Sequence, residues 1–125
     1  MQLDQGDDRP IYLQLADAIE DAIFTGAFAE ETQIPSTTEI SAQMKINPAT
    51  VLKGMGQLVD RGILYKKRGV GMFVKEGAAL AIQAGRQAEF FEQYVLRMVR
   101  EARKLGLSRE GLLELIERGM DDEQH

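Results

Sequence analysis

Two helix-start signals, at Ser36 and at Asn47, stand so close together in this chain that only a short helix and a tight turn fit between them. Ser36-Thr37-Thr38-Glu39 spells a capping box: the serine hydroxyl accepts from a free backbone N–H of the first turn, and the glutamate reaches back to the cap. Asn47-Pro48 pairs a capping side chain with a proline at the first helical position, where the missing N–H would have no partner anyway. The first helix carries Ile40 and Met44 inward, and Lys45, Ile46 and Asn47 alone separate it from the second. Val51, Leu52, Met55, Leu58 and Val59 mark the buried side of that second helix, and Gly62 ends it. Two short helices joined by such a turn make a helix-turn-helix, whose second helix is free to enter a major groove.

The flanking segments complete a domain. Pro10 suits a first helical turn and Asp8 is placed to cap it. Ile11, Leu15, Ala18, Ile19, Ala22 and Ile23 then recur at three-and-four spacing, opposite Asp17, Glu20 and Asp21, until Gly26. Downstream, Ile63 to Lys67 and Met72 to Lys75 read as two short strands around Arg68-Gly69-Val70-Gly71. The predicted fold is mainly α with a small β-hairpin, a winged helix-turn-helix over residues 1–75.

Residues 76–125 read as a helical tail. Ala84, Ala88, Phe91, Val95, Met98, Ala102 and Leu105 alternate four- and three-residue steps, the seam of a helix packed lengthwise on another. Gly106 ends it, and Ser108 caps a short last helix bearing Leu112, Leu113 and Ile116, which folds back. With Phe90 and Tyr94 alongside, the stripe exceeds what one short helix covers, so a two-helix dimerisation domain is expected. The alternative is a seam packed wholly within its own chain.

Composition removes most other functions. The 125 residues contain no cysteine and no tryptophan, and the one histidine is His125, so disulfides, Cys/His zinc sites and Ser–His or Cys–His nucleophile pairs are excluded. Asp121 and Asp122 beside His125 lie in a polar terminus, a poor place for acid–base positioning, so no enzyme, no cofactor and no metal is expected. No apolar run approaches the ~20 residues of a membrane span, and the acidic start does not resemble a signal peptide, giving a cytoplasmic expectation. The net charge of −5 conceals a strong asymmetry. Residues 1–35 carry −7, residues 36–75 carry +5 and residues 76–125 carry −3. The positive field surrounds the helix pair and hairpin, where a polyanion would dock.

Pro10-Ile11-Tyr12-Leu13-Gln14-Leu15, Ile34-Pro35-Ser36, Asn47-Pro48-Ala49-Thr50-Val51 and Arg68-Gly69-Val70-Gly71-Met72-Phe73-Val74 stand in the order and spacing of one family. Across residues 10–75 the chain resembles the GntR family of bacterial transcription regulators. Its short tail resembles the YtrA subfamily, in which two helices serve dimerisation where other branches carry a large effector-binding domain. The resemblance implies a homodimeric repressor of a nearby operon, bound to an inverted-repeat operator in double-stranded DNA. Three positions depart from the family pattern: Thr38 and Lys53 stand where arginine is frequent, and Glu31 where the loop often turns on glycine.

Candidate DNA contacts follow from position. Ser36, Thr37 and Thr38 offer donors to a phosphate at a helix start, Ser36 doubling as a cap. Asn47, Ala49, Thr50 and Lys53 lie on the first turns of the recognition helix; Thr50 suits a phosphate or a thymine methyl, and Lys53 a phosphate or a guanine edge. Lys66, Lys67 and Arg68 arm the hairpin, with Arg68 the preferred minor-groove or phosphate contact, and Gly69 lets the backbone turn or approach the duplex. Tyr12 reads as a core or interface residue. The competing reading is a winged-helix protein-interaction module whose basic segment is merely solvated. A small-molecule effector, of unknown identity, would sit between subunits or between tail and domain, since fifty helical residues enclose little volume.

Overall fold

The computed structural model describes residues 1–123. Its elements are α1 (Ile11–Phe24), α2 (Thr37–Met44), α3 (Pro48–Asp60), β1 (Leu64–Lys67), β2 (Gly71–Val74) and α4 (Ala78–Phe90). A π-helical turn (Phe91–Val95), α5 (Leu96–Lys104) and α6 (Arg109–Glu123) follow. The fold is mostly helical with a two-stranded antiparallel hairpin, a winged helix-turn-helix followed by helices, as expected from the sequence. Two compact units are distinguished, residues 1–85 and the segment from Arg86 onward.

In the first unit, Leu15, Ala16, Ile19 and Ile23 of α1 meet Ile40 of α2, Val51, Met55 and Leu58 of α3, and Leu64 and Val74 of the hairpin. Each large side chain taken fully out of water contributes about 1.5–3 kcal/mol, so this cluster is the main source of stability. The start of α1 differs from expectation. Pro10 is itself the cap residue and no side chain caps the helix, Asp8 included. Asp7 organises the approach instead: its carboxylate accepts from the backbone N–H of Arg9 at 2.9 Å and from the Arg9 guanidinium. That hydrogen bond holds the Asp7 carboxyl below its ordinary pKa, and Arg9 in turn is raised. The buried Gln14 amide reaches back to the carbonyls of Asp7 and Arg9, at 3.1 and 2.7 Å. Ile11, expected inside, is exposed and Ala18 half-buried. α3 comes up against the Tyr12–Leu15 side of α1, where an added Cβ at Gly54 would stand 2.9 Å from the Tyr12 carbonyl oxygen and 3.3 Å from Leu15.

Both helix-start signals form as read. Ser36 Oγ accepts from Glu39 N–H while Glu39 accepts from Ser36 N–H, each at 3.1 Å. Asn47 Oδ1 accepts from Ala49 N–H at 2.8 Å. Between them Lys45 takes φ 55°, and the Ser41 hydroxyl donates to the Ile46 carbonyl, closing the turn. Ser36→Ala should lower stability by about 1 kcal/mol, measurable by urea denaturation, because it orphans one N–H of α2. On α3 the buried arc is narrower than expected: Val51, Met55 and Leu58 are buried, whereas Leu52 and Val59 are exposed. At about 100° per residue, each lies one step around the helix from the 51–55–58 line and outside the packed arc.

β1 and β2 pair in the register Leu64–Val74, Tyr65–Phe73, Lys66–Met72 and Lys67–Gly71. The strands begin one residue off the expected bounds, since Ile63 is buried ahead of β1 and Gly71 already pairs. The segment before α2 joins this hairpin as a third edge: Glu31 N–H donates to Val74 O, Val74 N–H to Thr32 O and Ile34 N–H to Met72 O. Glu31 adopts φ 66°, the geometry for which glycine is suited, and its carboxylate holds the turn by accepting from Glu76 N–H and the Tyr65 hydroxyl. Partial burial and the Glu31 carboxylate push the Tyr65 phenol above its usual pKa. Glu30 accepts from Gly77 and Ala79 N–H at the start of α4, where an anion also complements the helix dipole.

The expected tail helix forms with one difference. The π-helical turn lodges an extra residue between α4 and α5, rotating everything after it back by one position. The seam residues therefore do not lie on one straight stripe: Ala102 is buried, Val95 and Met98 are half-buried, and Ala84, Ala88, Phe91 and Leu105 are exposed. Gly106, at φ 74°, ends α5, and Ser108 Oγ accepts from Gly111 N–H at 3.0 Å to cap α6. Leu112 and Ile116 are half-buried and Leu113 exposed. α6 is longer than expected and takes in Asp121 and Asp122, while His125 lies outside the described residues.

Candidate nucleic-acid interface

Three groups of candidate residues sit on three different supports. Ser36, Thr37 and Thr38 open α2, but their side chains diverge. Ser36 is engaged as the cap, the half-buried Thr37 hydroxyl donates to the sulfur of Met55 at 3.6 Å, and Thr38 is exposed. Of the three, Thr38 alone has an exposed hydroxyl without a role in the fold, among the described residues. Asn47 is engaged as the α3 cap, Ala49 is exposed and Thr50 is half-buried. The Lys53 ammonium lies 4.1 Å from the centre of the Tyr12 ring, which orients an exposed lysine by cation–π attraction. Tyr12, read as core or interface, is a half-buried platform for that cation.

The wing is built to hold its tip. Tyr65 and Phe73, opposite each other in the register, stack with centroids 5.8 Å apart, and the Lys67 ammonium sits 4.2 Å over the Phe73 ring. Lys66 lies on the opposite face of β1, across from Met72. Arg68 and Gly69 form the exposed turn, Gly69 with φ 77°. Gln33 braces the turn from outside by donating its amide to the Val70 carbonyl at 2.8 Å. It fills the space above Gly71, where a Cβ would collide with that amide. The sequence alone did not reveal this brace: Gln33 and Val70 are thirty-seven positions apart, and no local pattern links them.

The third edge that carries Gln33 runs directly into Ser36, so the wing and the start of α2 share one backbone segment. α3 packs against α1, α2 and β1. Of the seven bases in residues 36–75, Arg61 is engaged by Glu20 at 2.7 Å. Among the described residues no acid pairs with Lys53, Lys66, Lys67 or Arg68. Their charge stays uncompensated, and in a medium screened over about 8–10 Å it sums into a local positive field. No helix among the described residues is long and apolar enough to cross a membrane.

Comparison with known proteins agrees with this architecture. Residues 11–74 match the model of the bacterial regulatory proteins of the gntR family. The HTH-type transcriptional repressor YtrA of Bacillus subtilis is 28% identical over 116 residues, covering 93% of this chain and 88% of its own. A solved GntR-family regulator from Bacteroides thetaiotaomicron superposes with a TM-score of 0.77 at 32% identity, covering 91% of this chain and 99% of that one. The DNA-binding domain of AraR, solved in complex with operator ORE1, superposes on 59% of this chain and 93% of its own, with a TM-score of 0.52 and 32% identity. A family match over more than half the chain, on a winged helix-turn-helix of the same architecture, leads to one conclusion: this chain belongs to the GntR family of bacterial regulatory proteins.

Proposed function

We propose that the chain is a cytoplasmic, homodimeric transcriptional repressor that binds an inverted-repeat operator in double-stranded DNA. In this reading residues 1–75 bind DNA and residues 76–125 dimerise. The observation that carries it is the set of unpaired cations, Lys53 on the recognition helix and Lys66, Lys67 and Arg68 on the wing, on the two elements a winged helix brings to a duplex. AraR, which shares this domain shape, is held on its operator in the solved complex. α3 enters the major groove by its first turns, the Thr38 and Thr50 hydroxyls meet phosphates, and Arg68 contacts the minor groove or the adjoining backbone. An effector, where one acts, binds between subunits.

Dimerisation is supported by what the tail leaves uncovered. Phe90, Phe91 and Tyr94 are 59%, 49% and 62% exposed, and Leu105 is 75% exposed. The adjoining exposed rings of Phe90, Phe91 and Tyr94 call for a partner surface, and in a two-fold dimer the same patch supplies it.

Arg68→Ala tests the wing. Loss of one phosphate contact should weaken binding uniformly across sequences and reduce the magnitude of the slope of log K against log salt by about one. A gel-shift titration giving the same slope for both proteins removes Arg68 from the interface. Failure of the chain to enrich any sequence from random genomic DNA at low salt favours the protein-interaction reading instead.

A further inference from the structure

The exposed face of α3 is unusual for a surface helix in a basic segment. Ala49, Leu52, Lys53 and Gly56 follow one another at three, four and seven residues from Ala49 and so share an arc of about 100°, opposite the buried Val51, Met55 and Leu58. Leu52 is 58% exposed although it stands on a core-forming helix, and nothing lies within 4 Å of a Cβ added at Gly56. Lys53, held over Tyr12, is the one hydrogen-bonding side chain on this arc between Ala49 and Gly56, and Asp60 continues the arc only at the far end of the helix. From Ala49 to Gly56 the face is thus smooth and apolar, edged by a single cation.

Building on the DNA-binding reading above, we infer that Leu52, flanked by Ala49 and Gly56, is a specificity-determining residue that reads thymine 5-methyl groups in the major groove. Several observations select this occupant over another protein. The arc belongs to the second helix of a helix-turn-helix, the element free to enter the groove. Lys53 on the same arc and the net +5 charge of residues 36–75 attract a polyanion. Within the groove, the thymine methyl is the only apolar feature a base pair displays, and a leucine is complementary to it alone. Gly56 leaves room for the helix to lie deep against the base edges, since no side chain holds it off. Lacking an amide on this arc, the helix does not read adenine by paired hydrogen bonds. Lys53 remains to bond a guanine edge or a phosphate. The operator half-site is therefore thymine-rich beneath Ala49 and Leu52.

The test uses the full chain and the half-site it selects from random duplex DNA. Each thymine of that site is replaced singly by deoxyuridine, which deletes the methyl and keeps every hydrogen-bonding group. For the native protein at least one replacement should weaken binding roughly three- to fivefold, the effect expected of one buried methyl. In Leu52→Ala the same replacement should change affinity less than about 1.5-fold, the interaction having already been removed. Leu52→Arg provides a second readout that does not depend on loss of function: repeated selection should exchange the thymine for guanine at that position. Equal thymine-to-uracil penalties in the native protein and in Leu52→Ala, or no penalty in either, overturn the assignment of Leu52 while leaving DNA binding intact. A chain that selects no sequence at all overturns the DNA-binding reading, and this assignment with it.

Discussion

Gly54→Val is expected to destabilise the protein by about 3 kcal/mol or more and to abolish DNA binding in parallel. Inside a helix a glycine is ordinarily a weakness, costing about 1 kcal/mol relative to alanine, and a substitution with a larger residue would be expected to stabilise α3. The packing reverses that sign. A Cβ at position 54 would stand 2.9 Å from the backbone oxygen of Tyr12 and 3.3 Å from Leu15, and backbone cannot be moved aside as a flexible side chain can. A branched residue therefore forces α1 and α3 apart, strains the core in the manner of overpacking and disturbs the Tyr12 platform beneath Lys53. Gly56 is the internal control. With nothing within 4 Å, Gly56→Ala should raise stability by roughly 0.5–1 kcal/mol. Thermal or urea denaturation of the two variants checks both signs at once.

The second large effect concerns assembly. Phe91→Glu combined with Tyr94→Glu should yield a monomer in sedimentation equilibrium and lower operator affinity about a hundredfold or more. These rings belong to the π-helical turn and are about half exposed or more, Tyr94 standing 5.5 Å from Phe90. Two carboxylates there add no clash within the chain but would be desolvated and mutually repelled across a two-fold interface. The loss in affinity follows from linkage of two half-sites: once one recognition helix is bound, the second acts at an effective concentration near millimolar, a gain of about 10²–10⁴ that a monomer forfeits. A double variant that stays dimeric and binds normally would show that the exposed aromatic patch at the π-helical turn serves another purpose.

Local signals made most of the fold readable beforehand. The capping box at Ser36, the Asn47-Pro48 start, the buried period of α1 apart from Ile11 and Ala18, and the glycine-bearing hairpin each depend on residues within a few positions of one another, and each formed. The features that local sequence does not carry depend on distant partners or on the exact arc of burial. Gln33 on Val70, and Glu30 and Glu31 on the start of α4, join segments more than thirty residues apart. The π-helical turn shifts phase in the tail without any glycine or proline to announce it. Leu52 reads as core from hydrophobicity and approximate spacing, and only the packed line of Val51, Met55 and Leu58 shows that it faces outward. Among the candidate contacts, Ser36, Thr37 and Asn47 are occupied by the fold itself, which leaves Thr38, the outward residues of α3 and the wing as the surface proposed to meet DNA.

Hydroxyl-radical footprinting of the full chain on a duplex that it has selected from random DNA tests the central claim most directly. Two protected blocks related by inversion, with centres one helical turn or a small multiple apart, about 34–36 Å per turn, are predicted from two copies of α3 and its wing on one face of the duplex. A single block, protection without inverted symmetry, or an unprotected duplex at protein concentrations that saturate non-specific binding would contradict it.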